Sequence, residues 1–128
     1  MRSSEIKKVL LVDDDQNIRF VAHLTLEGLT PWEIMEAQSG PDALKKVQEA
    51  PPDLVLLDMM MPGMDGPTTF SKLKEIPQMA NVPVIFMTAK VQTHEVASYR
   101  ELGATGVITK PFDPMTLATE IRQIVGNG

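Results

Sequence analysis

The segment DLVLLDMMMPGMDG, residues 53–66 of this 128-residue chain, joins an apolar run to a turn-forming loop. Its four consecutive apolar residues, 54–57, show no polar alternation, which is typical of a parallel strand covered by helices on both faces. The run ends at Asp58, and proline, glycine and aspartate follow, so a strand ends there and a loop begins. Open α/β sheets bind ligands at the carboxyl ends of their strands, so this segment predicts a site at Asp58.

Apolar runs alternate with helical patterns on both sides of this segment. Strands are predicted at residues 7–12, 32–37, 54–57, 83–87 and 107–109. Helices are predicted at residues 16–29, from Ser39 to the proline pair at 51–52, at 67–75 and 91–102, and from a cap at Asp113 with Pro114 in the first position. Five strands alternating with five helices predict an α/β fold with an open, doubly wound parallel sheet.

Composition limits the classes of partner. Lysine and arginine total 12 against 17 aspartates and glutamates, a net charge of −5, which argues against binding to nucleic acid phosphates. There is no cysteine, and no apolar run approaches the length of a membrane span or a signal peptide. We expect a single domain over residues 1–128 with its core at 6–125, no direct nucleic acid binding, no membrane insertion and a cytoplasmic location.

Polar residues suited to phosphoryl transfer follow four of the predicted strands. Asp13 and Asp14 follow the first strand, Asp58 the third, Thr88 the fourth and Lys110 the fifth. The carboxyl ends of parallel strands share one edge of a sheet, so these side chains are expected to lie together. Carboxylates bind Mg²⁺ through oxygen, and one carboxylate can become an aspartyl phosphate. We predict that Asp58 is this nucleophile.

Four motifs together resemble the receiver domain of the two-component response regulators, close to the stand-alone chemotaxis type. They are VDDD at 12–15, LLDMMMPGMDG at 56–66, MTA at 87–89 and KPF at 110–112. The resemblance covers residues 6–125. It implies a flavodoxin-like fold with the strand order 2-1-3-4-5.

The resemblance implies a phosphoacceptor and a metal site. Asp58 would accept the phosphoryl group, and Asp13 and Asp14 would hold Mg²⁺ together with Asp58. The backbone carbonyl of Met60 would be a further metal ligand. Asp15 matches no role in the family.

The resemblance also implies roles for the fourth and fifth strands. Thr88 would hydrogen-bond the phosphoryl group, and Lys110 would pair with Asp58 or its phosphate, beside a cis peptide before Pro111. One position departs from the family pattern. Many receivers carry an aromatic residue three positions before the lysine, where this chain has Val107, a residue with a stiff side chain and no ring.

These features imply a phosphorylation-activated response regulator receiver rather than an enzyme acting on a separate substrate. A sensor histidine kinase or a histidine phosphotransfer protein would supply the phosphoryl group, and the domain would catalyse only its own phosphorylation and dephosphorylation. A surface on the fourth helix, fifth strand and fifth helix would then dock a downstream protein target. The sequence leaves open whether the chain acts alone or is a fragment of a longer protein.

Two other functions fit part of the pattern. A haloacid-dehalogenase-type phosphatase also opens with Asp-x-Asp, as Asp13 and Asp15 allow, but this chain has Asn17 where that family expects threonine or valine. It also lacks the late acidic pair after Lys110. The second alternative is a receiver-like module that binds partners without being phosphorylated, and the complete set of acids, threonine and lysine argues against it.

Simpler interpretations exist for single residues. Asp13 to Asp15 could cap the first helix, and a lone lysine is by default a solvated charge. Neither His23 nor His94 falls at a strand end, so both are predicted to be surface residues and not ligands.

Overall fold

In the computed structural model, residues 5–89 and 93–126 are described, and in them five strands alternate with five helices. The strands are β1 (Lys8–Val12), β2 (Glu33–Ala37), β3 (Leu54–Asp58), β4 (Val84–Thr88) and β5 (Gly106–Thr109). The helices are α1 (Gln16–Leu29), α2 (Gly40–Glu49), α3 (Gly66–Glu75), α4 (Thr93–Leu102) and α5 (Leu117–Gly126). A short 3-10 helix, Pro77–Met79, precedes β4.

All paired strands are parallel, and the sheet order is β2-β1-β3-β4-β5. The predicted doubly wound α/β fold and the implied strand order are therefore confirmed. Val12 is in register with Leu57, and Thr88 with Thr109, so the strands end at one edge. This edge collects the polar residues that follow each strand.

Strand β3 is buried along its whole length because helices cover both faces of the sheet. Leu54 and Leu56 belong to the apolar layer beneath α1 and α5, whereas Val55 and Leu57 belong to the layer beneath α2 and α3. A fully buried aliphatic side chain contributes about 1.5 to 3 kcal/mol. The unbroken apolar run predicted this double-sided burial, and it places Asp58 at the end of the most enclosed strand.

Three helices begin near the carboxyl edge of the sheet, and each has a side-chain cap at its first turn. Asp15 caps α1 by accepting from the backbone N–H groups of Asn17 and Ile18, and Asp65 caps α3 by accepting from Thr68. Ser39 caps α2, as predicted. The loops leaving the site therefore lead into anchored helix starts.

The last helix begins later than predicted. The carbonyl of Asp113 accepts from the N–H groups of Thr116 and Leu117, and its side chain accepts from Met115 N at 2.9 Å. These bonds close a tight turn over residues 114–116, so α5 begins at Leu117 rather than at Pro114. Asp113 accepts backbone hydrogen bonds as a capping residue does, but these bonds form a turn that precedes the helix.

Aromatic rings connect α4 to the sheet. The Tyr99 ring packs edge-on against Phe86 with centroids 5.3 Å apart, and Phe86 packs edge-on against Phe70 at 5.0 Å. Val107 lies in register with Phe86 and is half-buried against the same cluster. Residues 91 and 92, the predicted start of the fourth helix, lie outside the described part of the chain. In the described part, no helix has the length and apolar character needed to cross a membrane.

Candidate functional site

Three carboxylates meet at the carboxyl edge of the sheet. Asp13 and Asp14 follow β1 and Asp58 ends β3, and each offers an oxygen within 4.8 Å of the others. Asp13 and Asp58 are buried, at 4% and 1% exposure, whereas Asp14 is exposed. The strand-end argument predicted this meeting, and the parallel register explains it.

Asp13 is held through its backbone and through both carboxylate oxygens. Its N–H donates to the carbonyl of Ala37 on the neighbouring strand at 3.1 Å. Its Oδ1 accepts from the N–H of Asp15 at 2.9 Å, and its Oδ2 accepts from the Lys110 ammonium at 2.8 Å. Of the three predicted capping candidates, Asp15 is the cap of α1, and Asp13 faces the site.

Asp58 is a buried acid whose pKa lies above the usual value for aspartate. Its Oδ1 accepts from the N–H of Met60 at 3.0 Å and lies 3.3 Å from the Lys110 ammonium. Burial and the negative charge of Asp13 together raise the pKa of Asp58 to about 6, against the lowering effects of the Met60 N–H and of Lys110. The carboxylate form therefore predominates at neutral pH but is poorly solvated.

Lys110 links the two buried acids. Burial alone would lower the pKa of this ammonium, but the hydrogen bond and charge of Asp13, with those of Asp58, outweigh it and raise the pKa. Its backbone N–H donates to the carbonyl of Thr88 at 2.9 Å, and the peptide bond to Pro111 is cis, as the resemblance implied. The lysine stays protonated and points to the acids instead of being a solvated surface charge.

Thr88 lies on the strand next to Asp58, and Met60 lies two residues after Asp58 and donates its N–H to it. Thr88 ends β4, and its side chain is buried at 2% exposure. Met60 is the second residue of the loop after β3 and is exposed. The loop returns to α3 through the bond from Gly66 N to the Met59 carbonyl, and a Cβ at Gly66 would lie 2.5 Å from the Met59 Cα. Glycine at position 66 thus allows this loop to stay close to β3.

The residues present suit a hard divalent cation. Three carboxylates face one ammonium, so the site carries two uncompensated negative charges. Burial first, and then the negative charge of Asp13, raises the pKa of Asp58, so both disfavour a further negative charge at this position. Mg²⁺ prefers oxygen ligands and matches this charge, so the acid cluster fits it.

Sequence reasoning missed a second polar group beside the site. His23 was predicted to be a surface residue and not a ligand, and 30% of its side chain is exposed. One of its ring nitrogens lies 2.6 Å from Glu36 and the other 2.8 Å from Glu27. Glu36 also accepts from Arg19. The sequence did not reveal the contact with Glu36, because Glu36 comes from β2 and the spacing within α1 shows only the Glu27 partner. The side chain of His94 lies outside the described part.

Known proteins are similar to this chain in sequence and in fold. Residues 9–122 match the response regulator receiver domain family. The response regulator PleD of Caulobacter vibrioides is 39% identical over 119 residues, which cover 91% of this chain and 26% of PleD. The alkaline phosphatase synthesis transcriptional regulatory protein PhoP of Bacillus subtilis is 34% identical, with 93% of this chain and 48% of PhoP covered.

A solved structure agrees with these relatives. The chemotaxis response regulator CheY4 of Vibrio cholerae superposes with a TM-score of 0.86 at 31% identity, covering 93% of this chain and 98% of CheY4. The fold and site thus define a receiver domain of the two-component type. The chain belongs to the response regulator receiver domain family. It spans about a quarter of PleD and about half of PhoP.

Proposed function

We propose that this receiver domain accepts a phosphoryl group on Asp58, with Mg²⁺ held by Asp13, Asp14, Asp58 and the backbone carbonyl of Met60. The observation that carries the proposal is the position of Lys110. Its ammonium lies 2.8 Å from Asp13 and 3.3 Å from Asp58, so one cation serves the metal-binding acid and the acceptor. When bound, Mg²⁺ neutralises charge on the acids and on the transferred group.

The proposed reaction transfers a phosphoryl group from a phosphohistidine to the carboxylate of Asp58. One carboxylate oxygen attacks the phosphorus of a phosphohistidine, a P–O bond forms, and the P–N bond breaks with its electron pair left on the imidazole nitrogen. Lys110 then pairs with the additional negative charge, and the Thr88 hydroxyl donates a hydrogen bond to a phosphoryl oxygen. Water attack on the phosphorus releases inorganic phosphate and restores Asp58. The domain thereby acts on its own side chain, as expected for a signalling domain.

The partners follow from the family. A sensor histidine kinase or histidine phosphotransfer protein supplies the phosphoryl group in the cytoplasm, and the phosphorylated domain docks a protein target. Relatives such as PhoP are transcriptional regulators by name, but this chain spans only part of their length. We assign no nucleic acid contact to the receiver domain itself, whose net charge is −5.

Two alternatives are less well supported. The match over residues 9–122 is to receiver domains and gives no support to a haloacid-dehalogenase-type phosphatase. A receiver-like module that is never phosphorylated would not require a half-buried lysine shared by two buried acids. Both alternatives predict that Asp58 does not gain a stable phosphoryl group.

The test is phosphorylation by a small donor. The protein is incubated with acetyl phosphate and Mg²⁺, and intact mass is compared with the same reaction containing a chelator in excess over Mg²⁺. We expect a mass increase of one phosphoryl group only with Mg²⁺. Borohydride reduction and peptide mapping then locate it. A phosphoryl group elsewhere, or none at all, would reject the proposal.

A further inference from the structure

Arg19 lies one turn into α1, and its side chain is only 13% exposed. One guanidinium nitrogen, Nη1, donates to the backbone carbonyl of Asp13 at 2.6 Å. The Nε group donates to Glu36 Oε1 on β2 at 3.2 Å. A guanidinium this buried requires acceptors in good geometry, because its lost hydration is otherwise uncompensated. Arg19 therefore joins the loop after β1 to the edge strand of the sheet.

Glu36 is itself fixed from two helices. Its Oε2 contacts His23 Nδ1 at 2.6 Å, and the other ring nitrogen of His23 contacts Glu27 on the same helix at 2.8 Å. The Lys46 ammonium on α2 donates to the backbone carbonyl of Glu36. The acceptor that holds the Arg19 guanidinium thus has little freedom to move, and the planar guanidinium presents two donors in a fixed geometry.

We propose that Arg19 is a positioning residue for Asp13, with Glu36 holding its guanidinium in place. The proposal rests on the proposed function, since it concerns the acid assigned to Mg²⁺. Asp13 donates its N–H to the Ala37 carbonyl, and its carbonyl accepts from Arg19. Fixing both peptide groups sets the direction of the side chain. A ligand that is held before binding loses less conformational freedom when the ion binds.

If Arg19 and Glu36 acted only through their charges, removing one would change Mg²⁺ affinity in the opposite direction from removing the other. If only charge mattered, removing the Arg19 cation would tighten Mg²⁺ binding, and removing the Glu36 anion would weaken it. If the pair holds Asp13 in place, either removal weakens binding. Arg19→Lys separates the two roles again, because it keeps the charge but loses the two-donor geometry.

The experiment measures Mg²⁺ affinity by calorimetry for Arg19→Met, Arg19→Lys and Glu36→Gln. The matched controls are Lys8→Met and Glu33→Gln, which make the same charge changes in an ion pair of 3.5 Å at the other end of β1 and β2. We expect Arg19→Met to weaken Mg²⁺ binding by about tenfold, the lower end for residues that hold a metal ligand in place. Arg19→Lys and Glu36→Gln should weaken it less, and the controls should match wild type.

The acetyl phosphate reaction gives a second measurement. At subsaturating Mg²⁺ the three variants should be phosphorylated more slowly than wild type, and saturating Mg²⁺ should restore the rate. Tighter or unchanged binding by Arg19→Met, or unchanged binding by Glu36→Gln, would overturn the proposal. If Arg19→Met does not fold in a thermal scan, Arg19→Lys and Glu36→Gln decide. Failure of wild type to accept phosphate would reject the proposed function, while the Mg²⁺ affinities would still decide the role of Arg19.

Discussion

The ammonium nitrogen of Lys110 lies 2.8 Å from Oδ2 of Asp13, closer than to Asp58, the proposed phosphoacceptor, whose Oδ1 is 3.3 Å away. The family resemblance paired this lysine only with Asp58 or its phosphate. The structure adds Asp13, which is proposed to bind Mg²⁺, as a partner. A single half-buried cation therefore influences the ionisation of Asp58 and the net charge of the acid cluster.

Removing this cation should make Asp58 harder to ionise. In Lys110→Met we expect the pKa of Asp58 to rise above the wild-type value of about 6, because the favourable charge of the lysine is lost while Asp13 remains. Carbon-13 NMR of the Asp58 carboxyl group during a pH titration measures this. Lys8→Met removes a cation at the other end of β1 and serves as the control. An unchanged or lower pKa in Lys110→Met would contradict the assignment.

The raised pKa of Asp58 predicts how stability depends on pH without Mg²⁺. The folded protein holds the Asp58 proton more tightly than the unfolded chain, whose pKa is near 3.8. This contribution is complete below pH 3.8 and is lost as pH rises through about 6. Relative to Asp58→Asn, the free energy of unfolding should fall by roughly 3 kcal/mol over this window.

Urea unfolding of wild type and Asp58→Asn at several pH values checks this expectation. Both proteins contain the same other titrating groups, so their difference isolates Asp58. Mg²⁺ at neutral pH should recover stability in wild type, because the ion favours the ionised carboxylate. A difference that is flat across pH 4 to 7 would show that Asp58 titrates normally.

The nucleophile assignment predicts a loss of labelling. Asp58→Asn should abolish Mg²⁺-dependent phosphorylation by acetyl phosphate, because the amide has a similar shape but is not a nucleophile. Asp65→Asn is a matched control, since asparagine also caps helices and Asp65 caps α3. Intact mass reports both variants. Persistent labelling of Asp58→Asn would mean that another residue accepts the phosphoryl group.

Neighbouring acids in one loop should have separable effects. Asp14→Ala removes an exposed carboxylate from the acid cluster, so we expect weaker Mg²⁺ binding and slower phosphorylation. Asp15→Ala makes the same charge change but removes the α1 cap, which costs about 1 kcal/mol of stability. Calorimetry and urea unfolding measure the two properties. Equal Mg²⁺ affinities in these variants would show that Asp14 is not a ligand.

The response to phosphorylation should depend on Thr88 rather than on Val107. Beryllofluoride with Mg²⁺ should slow hydrogen exchange in residues 93–102, since α4 contacts the sheet through the Tyr99 ring. Thr88→Ala should reduce this change while Asp58 is still phosphorylated. Val107→Ala should cost about 1 to 3 kcal/mol yet keep most of the change. The reverse result would contradict this route.

Most of the architecture could be predicted from local patterns. The unbroken apolar run before Asp58 predicted a strand buried on both faces, and β3 is buried throughout. Parallel connectivity then brought Asp13, Thr88 and Lys110 to the same edge without knowledge of any contact. Helix ends were less predictable, because Asp113 starts either a helix or a turn, and its carbonyl bonds decide between them.

The surroundings of the site depend on tertiary contacts and were not predicted. Arg19 and His23 are one helical turn apart on α1, and this spacing does not show that both meet Glu36 from β2. The sequence showed that position 107 carries no aromatic ring. It did not show that the Tyr99 ring, from α4, packs against Phe86 beside Val107.

Trp32 is the only tryptophan of the chain, and it lies at the opposite edge of the sheet from the acids. It is buried at 4% exposure beside the Arg122 guanidinium, 5.3 Å from the ring centroid. A strand of five residues separates the two edges by roughly 17 Å. Indole fluorescence should therefore follow unfolding of the whole domain with little direct response to ions at the acids. The chain carries its own optical reporter of folding, remote from the chemistry.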